Sequence, residues 1–340
     1  MAENLDFKDA NDALVAGFEM LPHADASWKR LIRPSWRDHA FTARDLQGRE
    51  YPAVRWIIPN LIPEGLSVLA GRPKIGKSWL ALDIALAVAA GTACLGDVVP
   101  DQGDVLYCAM EDNERRIKNR IGKILGHDAT WPDRLTITTK WKRLNEGGTI
   151  DIQEWVKTAL QPRLVVLDTL ATVKPLNTKE GYQQDYAALT HTHRIANDAG
   201  IGIVALHHQR KGEAEDPLDT ISGTLAITGC ADTSLVLSST TAGKTLYLRG
   251  RDVEEAEHAV EFNAATCRWK ILGDVDDVRR SDTRRKMIAA LKESGKMGPQ
   301  QIAEITGLSE AVVKNRLADL VKNGDVTKPS RGEYEYVNRR

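Results

Sequence analysis

The sequence has few cysteines and no long apolar run. Only four of its 340 residues are cysteine, and these lie far apart, at Cys94, Cys108, Cys230 and Cys267. This spacing is not typical of a zinc site or of a disulfide framework, and it favours a reducing compartment. No apolar stretch reaches the roughly 18 residues that a membrane-spanning helix requires. We therefore expect a cytoplasmic protein without a membrane partner.

Charge of one sign is not in excess either. The chain has 46 Lys and Arg against 47 Asp and Glu, for a net charge of −1. Any nucleic-acid binding must therefore come from local basic patches. Apolar residues make up 42% and charged residues 27%, a balance that allows a full buried core. At roughly 100–200 residues per domain, the length predicts two domains.

The middle of the chain alternates between short β-rich runs and helical segments. Strands are predicted at 66–71, 104–110, 135–139, 163–169, 202–208, 233–239 and 244–250, and helices at 77–91, 113–125, 151–160 and 182–200. This alternation predicts an α/β fold, a mainly parallel sheet with helices on both faces. Short turns join the last strands, which indicates antiparallel additions at one edge.

Changes in composition suggest the domain boundaries. Residues 1–53 are polar and predict an N-terminal arm with a helix over 9–21, whereas residues 54–271 form the α/β core. Residues 272–280 are charged and small, and we interpret them as a linker. A separate unit then covers residues 281–340.

A glycine-rich loop follows the first core strand and opens the first core helix. It consists of Gly71, Arg72, Pro73, Lys74, Ile75, Gly76, Lys77 and Ser78, followed by Trp79. In this pattern the backbone N–H groups cradle phosphates, the lysine neutralises their charge and the hydroxyl binds Mg²⁺. The strand–loop–helix context adds the positive end of a helix. The loop predicts a site for a nucleoside triphosphate and Mg²⁺.

Three further strands end in polar residues that could complete this site. Asp168 ends an apolar strand and can hold Mg²⁺, as the Walker B aspartate of P-loop NTPases does. Glu111, with Asp112 as its competitor, could activate the attacking water. His207 and His208 end another strand, where a polar group can contact the terminal phosphate. Open α/β sheets bind ligands at this edge.

The last 60 residues predict a winged helix-turn-helix. Helices are expected at 283–293, 299–305 and 310–323, followed by a hairpin. The expected core residues are Ile302, Ile305, Leu308, Val312, Val313, Leu317 and Leu320. Outward residues of the third helix are Glu310, Lys314, Asn315 and Lys322, with Arg316 near the edge, and the wing carries Lys328 and Arg331. Such a unit can bind the major groove of DNA or dock another protein.

The motifs of residues 55–270 together resemble the RepA-like branch of RecA-like ATPases, relatives of the DnaB-type hexameric helicases. The resemblance rests on GRPKIGKSWLALDIA, a strand ending in Met-Glu-Asp, LVVLDTL, VALHHQRKG and ISGT…ADTSLVL. It implies a RecA-like fold, ATP and Mg²⁺ as ligands, and a homo-oligomeric, hexameric ring with nucleotide between subunits.

The resemblance also implies roles for particular residues. Lys77 and Ser78 would bind phosphate and Mg²⁺, and Asp168 would be the Walker B acid. Glu111 would be the catalytic base. His208 would be the γ-phosphate sensor, with His207 as the next candidate. Arg249 or Arg251 would complete the site of a neighbouring subunit, with Arg210 and Lys211 as alternatives. Loops 172–181 and 209–221 would contact single-stranded DNA. Acidic residues in the second loop, Glu213, Glu215, Asp216 and Asp219, depart from that expectation.

Three functions compete at this point. The leading hypothesis is a ring-forming, DNA-stimulated ATPase, a replicative or accessory DNA helicase of a plasmid or phage-type element. Its partners would be single-stranded or duplex DNA and other replication proteins. The alternatives are a nucleotide-switched DNA-binding regulator and a loader ATPase without unwinding activity. The full catalytic set favours the first, and the acidic loop favours the other two.

Overall fold

The structure of the chain is a computed structural model. It describes residues 18–22, 28–32, 37, 40–175, 181–210, 214, 216–221, 225–240 and 243–337. The chain divides into two compact units, Met1–Ala53 and Val54–Arg340. This division falls at the position where the sequence analysis ends the N-terminal arm.

The first unit contains a small hairpin and a short helix. Strand β1 (Phe18–Pro22) pairs antiparallel with β2 (Trp28–Ile32), and helix α1 covers Ala43–Gln47. The helix predicted over 9–21 is therefore wrong at residues 18–21, while residues 9–17 lie outside the described residues. Pairing with β2, the next strand along the chain, supplies the backbone hydrogen bonds here in place of those within a helix.

The second unit starts with an α/β domain. Its elements are β3 (Trp56–Ile58), β4 (Ile62–Pro63), β5 (Gly65–Gly71), α2 (Lys77–Ala90), β6 (Asp104–Ala109), α3 (Glu114–Leu125), β7 (Leu135–Thr138), α4 (Gly148–Thr158), β8 (Pro162–Asp168), α5 (Leu170–Val173), α6 (Gly181–Ala199), β9 (Gly202–His208), α7 (Leu225–Cys230), β10 (Thr233–Thr240), β11 (Gly243–Gly250), β12 (Ala256–Asn263) and β13 (Arg268–Asp274).

Nine of these strands form one sheet in the order β13-β12-β11-β10-β5-β9-β8-β6-β7. The strands from β10 to β7 are parallel, and β11, β12 and β13 continue the sheet as antiparallel neighbours. The predicted mainly parallel sheet and its antiparallel edge are confirmed. Strands β12 and β13 extend this edge beyond the predicted strands.

Helices cover both faces of the sheet and bury two apolar cores. One core joins the sheet to α2 and α3, and it includes Leu82, Leu86 and Ile121. The other joins it to α4, α5, α6 and α7 through residues such as Ile152 and Leu189. Because α2 is buried almost all round, it is apolar on every side instead of amphipathic. The rigid α2 carries the end of the phosphate-binding loop.

The C-terminal part is a winged helix-turn-helix, as predicted. It contains α8 (Val275–Ser294), α9 (Pro299–Thr306), α10 (Glu310–Lys322), β14 (Val326–Ser330) and β15 (Glu333–Tyr336). It has its own core, which includes Met287, Leu291, Ile302, Val313, Leu317, Leu320 and Val326. The Ser309 hydroxyl accepts a hydrogen bond from the Val312 N–H at 3.4 Å and caps α10.

Two of the predicted core residues of this part are wrong. Ile305 is 56% exposed and Val312 is 43% exposed. Helical spacing identifies an apolar stripe, but in a unit this small only the flank that meets another element becomes covered. The residues predicted to face outward, Glu310, Lys314, Asn315 and Lys322, are exposed, and Arg316 is half-buried.

The predicted linker at 272–280 is also wrong, because β13 and α8 follow one another without a loop. Asp274 ends the strand and caps the helix, accepting hydrogen bonds from the N–H groups of Asp276 and Asp277 at 2.8 and 3.3 Å. Acidic residues are favoured at a helix N-terminus. The charged run therefore starts a helix, and Val275 is buried beneath it.

Candidate nucleotide-binding site

The phosphate loop leaves β5 at Gly71 and enters α2 at Lys77. The Lys77 ammonium is buried and donates hydrogen bonds to the carbonyl oxygens of Gly71 at 2.7 Å and Arg72 at 3.1 Å. Burial lowers the pKa of Lys77, while the negative charges of Asp168 and Glu111 oppose that shift. The loop thus holds a positive charge whose hydrogen-bond partners are backbone carbonyls, and phosphate oxygens can replace them.

At two positions of this loop, glycine is required for steric reasons. Gly76 has a φ of 112°, and a Cβ there would lie 2.9 Å from Cζ2 of Trp269. A Cβ at Gly71 would lie 2.8 Å from the Leu237 carbonyl oxygen. The exposed residues Arg72, Pro73 and Lys74 form the outer part of the loop. The loop is thus packed against residues of β10 and β13, and its outer part is exposed.

Ser78 and Asp168, the two residues predicted to hold Mg²⁺, lie within hydrogen-bond distance of each other. The Ser78 hydroxyl donates to Oδ1 of Asp168 at 3.2 Å, and the Tyr107 hydroxyl donates to Oδ2 at 2.9 Å. Burial raises the pKa of Asp168, and the hydrogen bonds from Tyr107 and Ser78 oppose that shift. A hydroxyl and a carboxylate are oxygen ligands of the kind that Mg²⁺ prefers. Tyr107, a lone polar group within an apolar strand, was not among the residues predicted from the sequence.

The side chains of Glu111 and Asp112 differ in their contacts. The Thr169 hydroxyl donates to Oε1 of Glu111 at 2.9 Å, next to Asp168. Asp112 instead forms ion pairs with Arg116 at 2.7 Å and Arg120 at 2.6 Å, and only 6% of its side chain is exposed. Of the two carboxylates, Glu111 is the exposed one. Thr169 was not predicted, although it directly follows Asp168.

The two histidines end the strand that lies between β5 and β8. His207 is level with Ala70 and His208 with Gly71, and the next backbone N–H, that of Gln209, donates to the Gly71 oxygen at 3.2 Å. His207 is buried and His208 is partly exposed. His208 therefore lies beside the first residue of the phosphate loop.

Arg249 and Arg251 lie elsewhere in the fold. Arg249 is level with Ser234 on β10, and Ser234 is level with Val68, three residues before Gly71. Arg249 is thus level with the middle of β5, and Arg251, whose N–H donates to the Asp232 oxygen, lies toward the amino end of β5. Arg249 donates to Asp216 at 2.8 Å, and Arg251 donates to Asp232 at 3.1 Å.

The predicted DNA-contacting loops are described only in part. Lys179, Lys211, Glu213 and Glu215 lie outside the described residues. The Lys174 carbonyl accepts a hydrogen bond from Arg143 at 2.6 Å. In the second loop, the Arg210 N–H donates to the Thr220 oxygen at 2.8 Å. Its acid Asp216 pairs with Arg249, so that carboxylate is already engaged within the chain.

The fold and the loop define a P-loop ATPase, and comparison with known proteins agrees. A model of the AAA domain family matches residues 33–214, just over half of the chain. The chain belongs to this family. A model described as winged helix-turn-helix DNA-binding matches residues 280–326. The two matches indicate ATP and DNA as ligands of this protein.

Two solved structures resemble part of the chain. One is described as an ATPase domain, with 15% identity and a TM-score of 0.49, covering 62% of this chain and 85% of that one. The other is a DnaB-like replicative helicase described with its interactions with primase, with 14% identity and a TM-score of 0.48, covering 61% of this chain and 57% of that one. This chain thus spans little more than half the length of the second.

In the described part of the chain, no helix is long and apolar enough to cross a membrane.

Proposed function

We propose that the protein is a ring-forming ATPase stimulated by DNA, a replicative or accessory helicase of a plasmid or phage-type element. The observation that carries the proposal is the position of Arg249 and Arg251 relative to the phosphate loop. Lys77, Ser78 and Asp168 meet at the carboxyl edge of the sheet, whereas Arg249 is level with the middle of β5 and Arg251 lies toward its amino end. In the proposed ring, one of these arginines would serve the phosphate loop of a neighbouring subunit.

In this proposal the residues at the phosphate loop divide the work of hydrolysis. Lys77 and the backbone N–H groups at the start of α2 bind the phosphates. Ser78 and Asp168 would hold Mg²⁺, which neutralises charge on the phosphates when bound. Glu111, oriented by Thr169, takes the proton from the attacking water, and His208 detects the terminal phosphate.

Oligomerisation would complete the site. A guanidinium from a neighbour stabilises charge on the transferring phosphate, an effect worth about 10³–10⁵ in rate in other phosphoryl-transfer systems. Arg249 and Arg251 now pair with Asp216 and Asp232, and their side chains are 40% and 59% exposed. The Arg249–Asp216 pair is partly exposed on both sides, and such pairs stabilise a protein by only about 0–1 kcal/mol, so a phosphate can compete for Arg249. Arg251 pairs with a buried carboxylate, since the side chain of Asp232 is 9% exposed.

The winged helix favours a second candidate, a nucleotide-switched regulator or loader that binds DNA without unwinding it. Its third helix exposes Lys314, Asn315 and Lys322, and its wing exposes Lys328 and Arg331. Glu310 lies 2.7 Å from Lys314 and partly neutralises this surface. A regulator would use ATP only to set its assembly state.

Strand displacement separates the two candidates. We would measure ATP hydrolysis with and without single-stranded DNA, the assembly state by mass photometry, and unwinding of a forked duplex. A helicase should form a ring, hydrolyse ATP faster with single-stranded DNA, and separate the fork. Nucleotide-dependent assembly with duplex binding but no unwinding would support the regulator. A monomer whose hydrolysis is indifferent to DNA contradicts both.

A further inference from the structure

Strand β13 reaches the phosphate loop although it lies three strands beyond β10 in the sheet order. The indole Nε1 of Trp269 donates a hydrogen bond to the Gly76 carbonyl oxygen at 3.2 Å, and the side chain is 2% exposed. The ring also lies against Gly76 itself, where an added Cβ would be 2.9 Å from Cζ2. The antiparallel extension therefore packs on α2 and contacts the loop directly.

A second contact ties the same strand to the far part of α2. Arg268 donates through Nε to Oδ1 of Asp83 at 2.9 Å and through Nη2 to the Ala93 carbonyl. Asp83 is buried in the middle of α2. Next along β13, the Ile271 N–H donates to the Leu95 oxygen at 2.9 Å. Strand β13 thus contacts the beginning, the middle and the segment just after α2.

The indole also contacts two side chains outside the loop. The Phe262 ring lies 5.2 Å from the Trp269 ring, centroid to centroid, and Lys244 Nζ lies 5.1 Å from the Trp269 centroid. Both neighbours belong to the antiparallel extension. Aromatic and cation–π contacts of this kind fix the orientation of a ring. Trp269 is therefore a rigid partner for the loop.

We propose that Trp269 is a positioning residue for ATP binding that acts through the peptide group between Gly76 and Lys77. A trans peptide is planar, so its C=O and N–H groups point in opposite directions. The Gly76 oxygen also accepts a hydrogen bond from the Leu80 N–H at 3.1 Å. With the oxygen anchored by Trp269 and Leu80, the Lys77 N–H points away from the helix, toward the phosphates.

The inference assigns a role in nucleotide binding to a strand outside the phosphate-loop motif. It rests on the proposed binding of ATP at this loop but not on ring formation, DNA stimulation or unwinding. A loop held in its binding conformation before ATP arrives loses less entropy on binding. The effect should therefore appear in ATP affinity more than in the chemical step.

The test compares two variants of the full chain, Trp269→Phe and Val260→Ala. Phenylalanine keeps an aromatic ring but removes the N–H donor. Val260 is buried in β12 of the same extension, so Val260→Ala controls for lost stability. We would measure the Kd of a fluorescent ATP analogue, kcat, and the free energy of unfolding in urea for each.

Trp269→Phe should weaken ATP binding by roughly 3- to 10-fold, the loss expected for one hydrogen bond, with a smaller change in kcat. Val260→Ala should keep the wild-type Kd at a similar loss of stability. An unchanged Kd in Trp269→Phe, or an equal rise of Kd in both variants, overturns the role of Trp269 and leaves the proposed function intact. A wild-type chain that binds no ATP overturns the proposed function as well, and the two failures are thereby distinguished.

Discussion

The Ser78 hydroxyl lies 3.2 Å from Oδ1 of Asp168, although 90 positions separate the two residues in the sequence. Ser78 belongs to the loop after β5, and Asp168 ends β8, with β9 between these strands. Parallel strands place their carboxyl ends at one edge, so residues from distant parts of the chain meet there. Tyr107 joins them from β6, the next strand of the sheet.

Glu111→Gln should bind ATP and Mg²⁺ but hydrolyse poorly. The amide keeps the size of the side chain but cannot take a proton from water, and loss of general base catalysis typically costs about 10²–10⁴ in rate. Asp112→Asn is the matched control. It breaks ion pairs with Arg116 and Arg120, so it should lower stability more than turnover. Normal hydrolysis by Glu111→Gln, measured in single-turnover assays, would move the catalytic role elsewhere.

Tyr107→Phe should shift the pH dependence of magnesium binding to higher pH. The Tyr107 hydroxyl lowers the pKa of Asp168, and its removal should raise that pKa further above the usual value. Only the ionised carboxylate binds Mg²⁺ well, so the variant should lose magnesium affinity at a higher pH than wild type does. Half-saturating Mg²⁺ concentrations for hydrolysis, measured across the range from mildly acidic to mildly alkaline pH, check this. Coincident profiles for the two proteins would show that Tyr107 does not act on Asp168.

Mixing of inactive variants should restore activity if the arginines act across a subunit boundary. Lys77→Ala removes the charge that binds phosphate, and Arg251→Ala removes a trans-acting guanidinium. Each should be inactive alone while keeping its fold by circular dichroism. In a mixed ring, some interfaces pair an intact Lys77 with an intact Arg251, so hydrolysis should partly return.

The same mixture with Arg249→Ala distinguishes the two arginines. Specific activity of the wild type should also rise steeply with protein concentration, because assembly completes each site. If neither mixture recovers activity and activity per subunit is constant over concentration, the trans-acting arginine and the ring are both contradicted.

Lys314→Ala should weaken binding to duplex DNA across sequences and leave basal ATP hydrolysis unchanged. Loss of one phosphate contact lowers the dependence of log K on log salt by roughly one unit. Glu310 provides the opposite control, because Glu310→Gln removes a negative charge 2.7 Å from Lys314 and should strengthen binding. Fluorescence anisotropy at several salt concentrations measures both. If neither substitution changes duplex affinity, the winged helix serves as a protein-docking module.

Asp83 should make the stability of the protein fall as the pH rises. Burial raises its pKa from 3.8 to about 6, and Arg268 opposes the shift. Because the folded chain binds this proton more tightly than the unfolded chain does, the stabilisation is complete below about pH 4 and is lost as the pH rises through about 6. Between about pH 5 and about pH 7.5 the loss should be about 1–1.5 kcal/mol.

Urea unfolding of the wild type and of Asp83→Asn at these two pH values measures that contribution. The variant carries no titrating group at this position, so the difference in unfolding free energy between the two proteins should change with pH in the stated direction. A difference that is the same at both pH values would show that Asp83 is ionised throughout this range.

The sequence by itself determined the elements whose signals are local. The strand–loop–helix of residues 65–90 combines an apolar run, glycines and Lys77. These signals lie within a few residues of one another along the chain. The same holds for the alternation of β5 to β11 and for α9 and α10, where Ser309 and Gly307 mark the helix ends. These features depend on spacing along the chain, so they were predictable.

Only the tertiary structure decided which side chains meet. It added Tyr107, Thr169 and Trp269 to the site, and it engaged Asp112 in ion pairs while Glu111 stayed exposed. It also showed that the predicted linker contains the end of β13 and the start of α8. A contact between distant strands depends on sheet order and register, and neither is encoded in the periodicity of any single segment. For that reason the phosphate loop was evident in the sequence, whereas the strand that holds it in place was not.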